Sequence, residues 1–292
     1  MKVSICIPAY KHLDFLKRCL DSVMEQKFID FEVIITDDSP DDTLEKLVDT
    51  YSDNRIKYFK NEKPLGSPSN WNKGLELASG DYIKILHHDD WFSSHDSLAT
   101  FIELLDDNPT VDIAFSACCN IDSHGNKKEY IVAGDKLAHL KKEPERLYLG
   151  NILRTPSCCI FRNHKKYFFD PNLIWLVDTD FYIRVAKDHS FAYSPETLVN
   201  VGISKHQITN SELANYKVRI KEKIYLYHKF QFINKGSLYR RSLLRALGRE
   251  KIFNTADLRK VLNDSDLSLS RIDSLWAYYY YIKMNVGLII NK

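Results

Sequence analysis

The chain has 292 residues, 44% of them hydrophobic and 27% charged, with a formal net charge of +2. That length buries a sizeable core without covalent staples, and the composition excludes disordered, collagenous and disulfide-scaffold classes. Charge is uneven: residues 1–204 hold 24 Lys+Arg against 32 Asp+Glu, net −8, and residues 205–292 hold 17 against 7, net +10.

Met1 leads directly into the apolar run Val3–Pro8, with no basic leader or cleavage site, which predicts no signal peptide. Leu13, Leu16, Leu20 and Val23 then recur at helical spacing. Phe31–Thr36 reads as a second strand, a helix follows from Asp42, and Arg55–Phe59 reads as a third strand. Pro64, Gly66 and Pro68 mark a loop, Asn70–Ala78 is helical, and Tyr82–Leu86 is a fourth strand. Leu98–Leu105 is helical and Asp112–Cys118 a fifth strand, with a turn at Asp122–Asn126. Pro156–Phe161 is strand-like, Asp178–Lys187 helical and Phe191–Val201 a strand. From about Asn210 the pattern is helical and basic. The expected fold class is therefore α/β, with a mostly parallel central sheet and a C-terminal helical extension. The expected domains are 1–205 and 206–292.

None of the cysteines, Cys6, Cys19, Cys118, Cys119, Cys158 and Cys159, forms a C-x-x-C pair. They read as free buried thiols, which implies a reducing, cytoplasmic compartment. The stretch Trp276–Ile290 is apolar and aromatic, but at 15 residues, with Lys283 inside, it is too short for a transmembrane span. The basic tail has two readings: a surface that meets an anionic membrane, or a solvated helical face.

The chain has no G-x-G-x-x-G, no G-x-x-x-x-G-K-[ST] and no G-x-S-x-G, which disfavours dinucleotide enzymes, P-loop kinases and α/β-hydrolases. What remains is a rim of polar groups after the strands, where open α/β sheets bind ligands. His87-His88-Asp89-Asp90 follows the fourth strand. Carboxylates suit Mg²⁺ or Mn²⁺, and Mn²⁺ tolerates imidazole, although either aspartate could instead cap a helix. Asp37-Asp38 could accept hydrogen bonds from a base or ribose, or form an Asx turn. Asp178 and Asp180 open a helix, where acids are favoured in any case.

Together these segments resemble the family-2 glycosyltransferases, which have the GT-A fold, a Rossmann-like nucleotide-binding architecture. V-S-I-C-I-P-A-Y at Val3–Tyr10 is similar to that family's opening strand, and E-V-I-I-T-D-D-S-P-D-D-T at Glu32–Thr43 to its second strand and acidic turn. N-W-N-K-G-L-E-L-A-S-G-D-Y-I at Asn70–Ile83 resembles its asparagine-glycine helix. L-H-H-D-D-W at Leu86–Trp91 falls where the family has its D-x-D metal motif, and D-T-D-F-Y-I-R at Asp178–Arg184 resembles its later acidic motif. The resemblance covers roughly residues 2–205.

It implies an inverting glycosyltransferase that uses a nucleotide-sugar donor, uridine-linked by preference, with Mn²⁺ or Mg²⁺. The acceptor would be a glycan or a lipid-linked saccharide of a surface polysaccharide or lipopolysaccharide, at the inner face of a membrane. Nucleic acid is not an implied partner. Pro8, Ala9, Tyr10, Asp38, Asn72 and His88 would serve the donor. Asp89, Asp90 and, more remotely, His206 would bind the metal, and Asp178 would be the general base. Two residues depart from the family pattern: His87 replaces the first aspartate of D-x-D, and Val177 replaces the glutamate that often precedes the base. The second departure leaves Asp180 as an alternative base. The altered metal motif also motivates a second class, a non-catalytic module that binds nucleotide or glycan within an assembly complex. A nucleotidyltransferase would need a glycine-rich loop after the first strand, which Ala9-Tyr10-Lys11-His12 lacks.

Overall fold

The structure, a computed structural model, describes residues 1–186, 191–204, 215–262 and 270–290. Its chain falls into two compact units: Met1–Asn172 with Val177–Lys205, and Leu173–Leu176 with His206–Lys292.

In the first unit the predicted alternation is realised as β1 (Val3–Ala9), α1 (Leu13–Met24), β2 (Phe31–Asp37), α2 (Thr43–Asp49), β3 (Ile56–Lys60), α3 (Ser69–Leu77) and β4 (Tyr82–Ile85). There follow β5 (Trp91–Phe92), α4 (Ser97–Asp106), β6 (Ile113–Asp122), β7 (Lys127–Tyr130), α5 (Gly134–Lys142), β8 (Cys159–Arg162), α6 (Val177–Ala186) and β9 (Phe191–Ile203). The sheet order is β3-β2-β1-β4-β8-β6-β9-β5, with β7 paired to β6. Strands β3, β2, β1 and β4 are mutually parallel, as is the pair β6 and β9. Strand β8 runs antiparallel to both β4 and β6.

All seven residues of β1 are buried, because the strand is central and covered on both faces. Its one polar member inside the sheet, Ser4, donates to Glu32 Oε1 at 2.6 Å. The same carboxylate accepts from Lys57 Nζ at 2.7 Å and from the Ser79 amide at 2.8 Å. Burial alone would push Glu32 up, but these donors outweigh it and hold the carboxyl at about 2. In α1 the buried positions Leu16, Cys19, Leu20 and Val23 are those its spacing predicts. The six cysteines are free and buried. Asp122–Asn126 is the predicted turn: Asp122 Oδ1 accepts from the amides of His124 and Asn126, both at 2.9 Å, and Gly125 takes φ 80°.

Two elements escape the sequence reading. Strand β5 is only two residues long, and α5 lacks a clear apolar stripe, with Leu140 its single buried residue. One boundary also moves. Pro156–Cys158 is a 3-10 turn and β8 starts at Cys159, because proline has no N–H for the ladder and suits the first position of a turn.

The second unit holds α7 (Tyr216–Lys229), α8 (Ser237–Arg249), α9 (Thr255–Arg259) and α10 (Arg271–Ile290), with α8 packed against both α7 and α10. Helices α8 and α10 cross closely at Gly248, where a β-carbon would collide with the Ala277 carbonyl. Arg240 forks onto Asp273, Nε to Oδ1 at 2.8 Å and Nη2 to Oδ2 at 2.5 Å. On its outer side α10 exposes Ile272, Leu275, Trp276, Tyr279 and Ile282 at helical spacing. Among the described residues no helix is long and apolar enough to cross a membrane.

The segment Leu173–Leu176 joins this unit through Glu222. Its buried carboxylate accepts from the amides of Ile174 (2.8 Å), Trp175 (2.9 Å) and Leu176 (2.7 Å). Glu222→Ala leaves three amides without their acceptor, so thermal denaturation is expected to show a loss of roughly 2–4 kcal/mol. A change below the error of that measurement would contradict this account.

Candidate active site

Strand β1 lies between β2 and β4, with Ala9 opposite Asp37 and Cys6 opposite Ile85. The turns that follow β1, β2 and β4 therefore share one rim.

The turn after β4 carries the ionisable cluster. His87, Asp89 and Asp90 offer ligand atoms that lie within 4.8 Å of one another. Asp90 is buried, and its Oδ1 accepts from the Gly202 amide at 3.1 Å. Burial, aided by the neighbouring charge of Asp89, pushes the Asp90 carboxyl well above the ordinary carboxylate range, while Ser157 and Gly202 pull the other way. Ser157 is a junction: its hydroxyl accepts from the His87 amide at 3.0 Å and donates to Asp90, and its carbonyl accepts from Lys84 Nζ. Lys84 is fully buried and sits 4.6 Å over the Phe101 ring, and burial pulls its ammonium down to about 8.

The two histidines differ. His87 packs against Trp71 with ring centroids 4.7 Å apart, and its Nδ1 lies 3.3 Å from Thr155 Oγ1. His88 sits beside Phe15 at 6.3 Å and is hydrogen-bonded to the Pro8 carbonyl. Burial lowers both, His87 to about 4. In each ring Nε2 is buried and has no hydrogen-bond partner. A buried nitrogen left bare in this way is uncommon. Of the two rings only His87 groups with Asp89 and Asp90, where imidazole and carboxylates together fit a divalent cation.

On the β1 and β2 side, the Asp38 amide donates to the Ala9 carbonyl at 3.0 Å. The buried Asp38 carboxylate accepts from Asn61 Nδ2 (2.7 Å), the Leu65 amide (3.0 Å) and the Gly66 amide (2.8 Å). Asp38 thus fixes the loop predicted from Pro64 and Gly66. Asn61 Oδ1 is buried beside it and unpaired. Asp37 accepts from Ser39, Tyr58 and Lys60, and although burial pushes its carboxyl up, these bonds hold it below the usual value. Tyr10 is about half exposed. Asn72 spends its amide on Phe169, donating to its carbonyl at 2.9 Å and accepting from its N–H at 2.8 Å. It therefore braces the wall beside Trp71, whose ring meets Phe169 edge-on at 5.1 Å.

The two acids of α6 have separate roles. Asp180 is fully buried and takes Arg184 Nε at 2.8 Å. Asp178 is partly exposed, accepts from Asn151 Nδ2 at 2.8 Å and from the Thr179 amide at 2.7 Å, and is pushed by burial to about 6. A carboxylate with that value is ionised near neutral pH yet basic enough to take a proton. Asn151 Nδ2 also donates to the Arg154 carbonyl, so one short segment carries the partner of Asp178 (Asn151) and those of the cluster (Thr155 and Ser157).

The structure thus joins Pro8, Ala9 and Asp38, connects His88 to Pro8, and gathers Asp89 and Asp90 with His87. His206 lies outside the described residues. Sequence reasoning overlooked Asn151, Thr155, Ser157 and Gly202, which lie in no motif; Gly202 alone had a signal, as a glycine inside a strand pattern.

Comparison with known proteins gives the same picture. The glycosyl transferase family 2 profile matches residues 4–168. An uncharacterized glycosyltransferase of Methanocaldococcus jannaschii is 32% identical over 234 residues, 77% of either chain. Staphylococcus aureus TarS 1–349, solved with UDP-GlcNAc, superposes with a TM-score of 0.62 at 18% identity, over 97% of this chain and 89% of that one. The mannosyltransferase PcManGT of Pyrobaculum calidifontis, solved with GDP-Man and Mn²⁺, gives 0.60 at 15% identity, over 100% and 88%. At these identities the structural likeness shows the fold, which is of the GT-A type.

Gly202 has no room for a side chain, because a β-carbon there would collide with the Asp89 carbonyl oxygen. Gly202→Ala is expected to cost roughly 1–3 kcal/mol and to displace the turn that carries the cluster. Melting curves with and without Mn²⁺ check both effects; full stability together with an unchanged response to Mn²⁺ would refute the packing argument.

Proposed function

The chain belongs to glycosyl transferase family 2, and from that membership we propose that it is a metal-dependent, inverting glycosyltransferase acting on a nucleotide-sugar donor. The observation that carries this reading is the pairing of a carboxylate raised to about 6, Asp178, with the three-residue cluster His87, Asp89 and Asp90. UDP- and GDP-linked hexoses and N-acetylhexosamines are the donors to screen, since similar folds hold UDP-GlcNAc in TarS and GDP-Man in PcManGT.

In the proposed reaction, an acceptor hydroxyl attacks the anomeric carbon from the face opposite the nucleoside diphosphate. The bond from that carbon to the diphosphate oxygen breaks, and the configuration inverts. Asp178 takes the acceptor proton, held ready by Asn151 and the Thr179 amide. Asp89 and Asp90 would hold a divalent ion, which when bound would offset charge on the departing diphosphate. Asp38 and Asn61 form the nucleoside end of the site with Pro8, Ala9 and Tyr10, and the bare Oδ1 of Asn61 can accept from a base N–H. His88 lies between that end and the cluster, with one nitrogen fixed by Pro8. Asn72 supports the wall of the donor pocket through Phe169.

The acceptor we propose is a glycan or lipid-linked saccharide of surface polysaccharide synthesis, met at the cytoplasmic face of a membrane. Two observations support the location: six buried free thiols, and a C-terminal unit that combines a net +9, from 16 Lys+Arg against 7 Asp+Glu, with an exposed apolar stripe on α10. Leu275→Glu, in the middle of that stripe, is expected to abolish co-sedimentation with phosphatidylglycerol vesicles that the wild type shows. Equal pelleting of the two proteins would exclude α10 as the contact.

The decisive experiment measures nucleoside diphosphate release from UDP- and GDP-sugars with and without Mn²⁺. Asp178→Asn is expected to lower kcat by about 10²–10⁴-fold and to leave donor affinity intact. In the wild type kcat/KM should fall below pH about 6, as the base protonates. Stability should run the other way. The carboxyl is raised on folding, so its contribution to stability grows as pH falls through that value, and Asp178→Asn should melt higher at pH 8. Full activity in Asp178→Asn would overturn the base assignment.

A further inference from the structure

We infer that His87 is itself a metal ligand through Nε2, and that it tunes the cluster toward ions that accept nitrogen, such as Mn²⁺ and Co²⁺, over Mg²⁺. This rests on the metal-dependent reading above and assigns to one residue of this chain a selectivity that the family motif does not supply.

Four observations carry it. First, the ligand atoms of His87, Asp89 and Asp90 lie within 4.8 Å of one another, close enough to share one ion. Second, His87 Nε2 is buried and has no hydrogen-bond partner, although buried polar atoms are nearly always paired. Third, the opposite nitrogen is engaged: Nδ1 lies 3.3 Å from Thr155 Oγ1. We assign the proton to Nδ1, donated to Thr155 Oγ1, which leaves the lone pair on Nε2. That is the arrangement by which proteins orient metal-bound imidazoles. Fourth, the ring and backbone have little freedom. Trp71 packs against the imidazole at 4.7 Å, and the His87 amide donates to Ser157 Oγ at 3.0 Å.

The competing account makes His87 a packing residue that fills the space beside Trp71. Packing explains the ring contact but not the bare nitrogen, since a phenylalanine or leucine would fill the same space. Mg²⁺ favours oxygen ligands and keeps several waters, whereas Mn²⁺ and Co²⁺ accept imidazole readily. An aspartate at this position would make the cluster all-oxygen and remove the bias.

The test is electron spin-echo envelope modulation on the whole protein loaded with Mn²⁺ alone, together with calorimetric titrations of Mn²⁺ and Mg²⁺. We expect ¹⁴N modulation in the wild type and in His88→Asn, and its loss in His87→Asp. We also expect the ratio of Mn²⁺ to Mg²⁺ affinity to fall by at least about tenfold in His87→Asp. Thr155→Val, which removes only the orienting contact, should weaken Mn²⁺ binding by about tenfold or more. Mn²⁺ binding without ¹⁴N modulation in the wild type would overturn this inference and leave the metal-dependent reading standing. No Mn²⁺ binding at all would overturn both. The wild-type spectrum decides the case even if His87→Asp does not fold.

Discussion

The buried carboxyl of Asp90 constrains the turn after β4. An isolated carboxylate out of water is very costly, so it persists only where donors are fixed around it. Here the donors come from distant parts of the chain: the Gly202 amide at the end of β9 and the Ser157 hydroxyl ahead of β8. Gly202 must then lie against the turn after β4, which is why that position has no room for a β-carbon. Ser157 must face the same turn, which draws in the Lys84 ammonium through its carbonyl and the His87 amide through its hydroxyl. One buried carboxyl thus ties the turn after β4 to Ser157 and Gly202.

The local part of this design was legible in the sequence. Strands such as Val3–Ala9 are continuous apolar runs because both faces are buried, and the helices declare themselves by spacing. The order of acidic turns after the strands gave the rim, because a parallel sheet sends every such turn to one side. What was not legible depends on contacts between residues far apart in the chain, 27 positions for Asn151 and Asp178 and 70 for His87 and Ser157. Ser157, Thr155 and Asn151 have no motif, and a serine or asparagine in a loop carries no mark of what it touches. Strand β5 is too short for periodicity to register.

The choice between Asp178 and Asp180 shows the same limit. In sequence they are two acids opening one helix, with equal claims to capping. Folding separates them by burial. Asp180 points inward, where Arg184 one turn later neutralises it at 2.8 Å. Asp178 has only neutral donors, chiefly Thr179 and Asn151, which pull its carboxyl down but do not offset burial. The difference between an ion-paired acid and one with a raised carboxyl arises from which way each residue faces on α6. Asp38 makes a related point: the position suggested a nucleotide contact, and the geometry shows a carboxylate that also orders the loop from Asn61 to Gly66.

Chain continuity adds a consequence for the C-terminal unit. Leu173–Leu176 belongs to that unit through the Glu222 carboxylate, and the next residue, Val177, opens α6. Asp178 is therefore two residues from a strap whose three amides are held by one buried acid. The first turn of a helix lacks internal acceptors for its amides, so its placement depends strongly on how the chain enters it. Within the C-terminal unit, Glu222 thus holds the three amides of the segment that immediately precedes α6 in the chain.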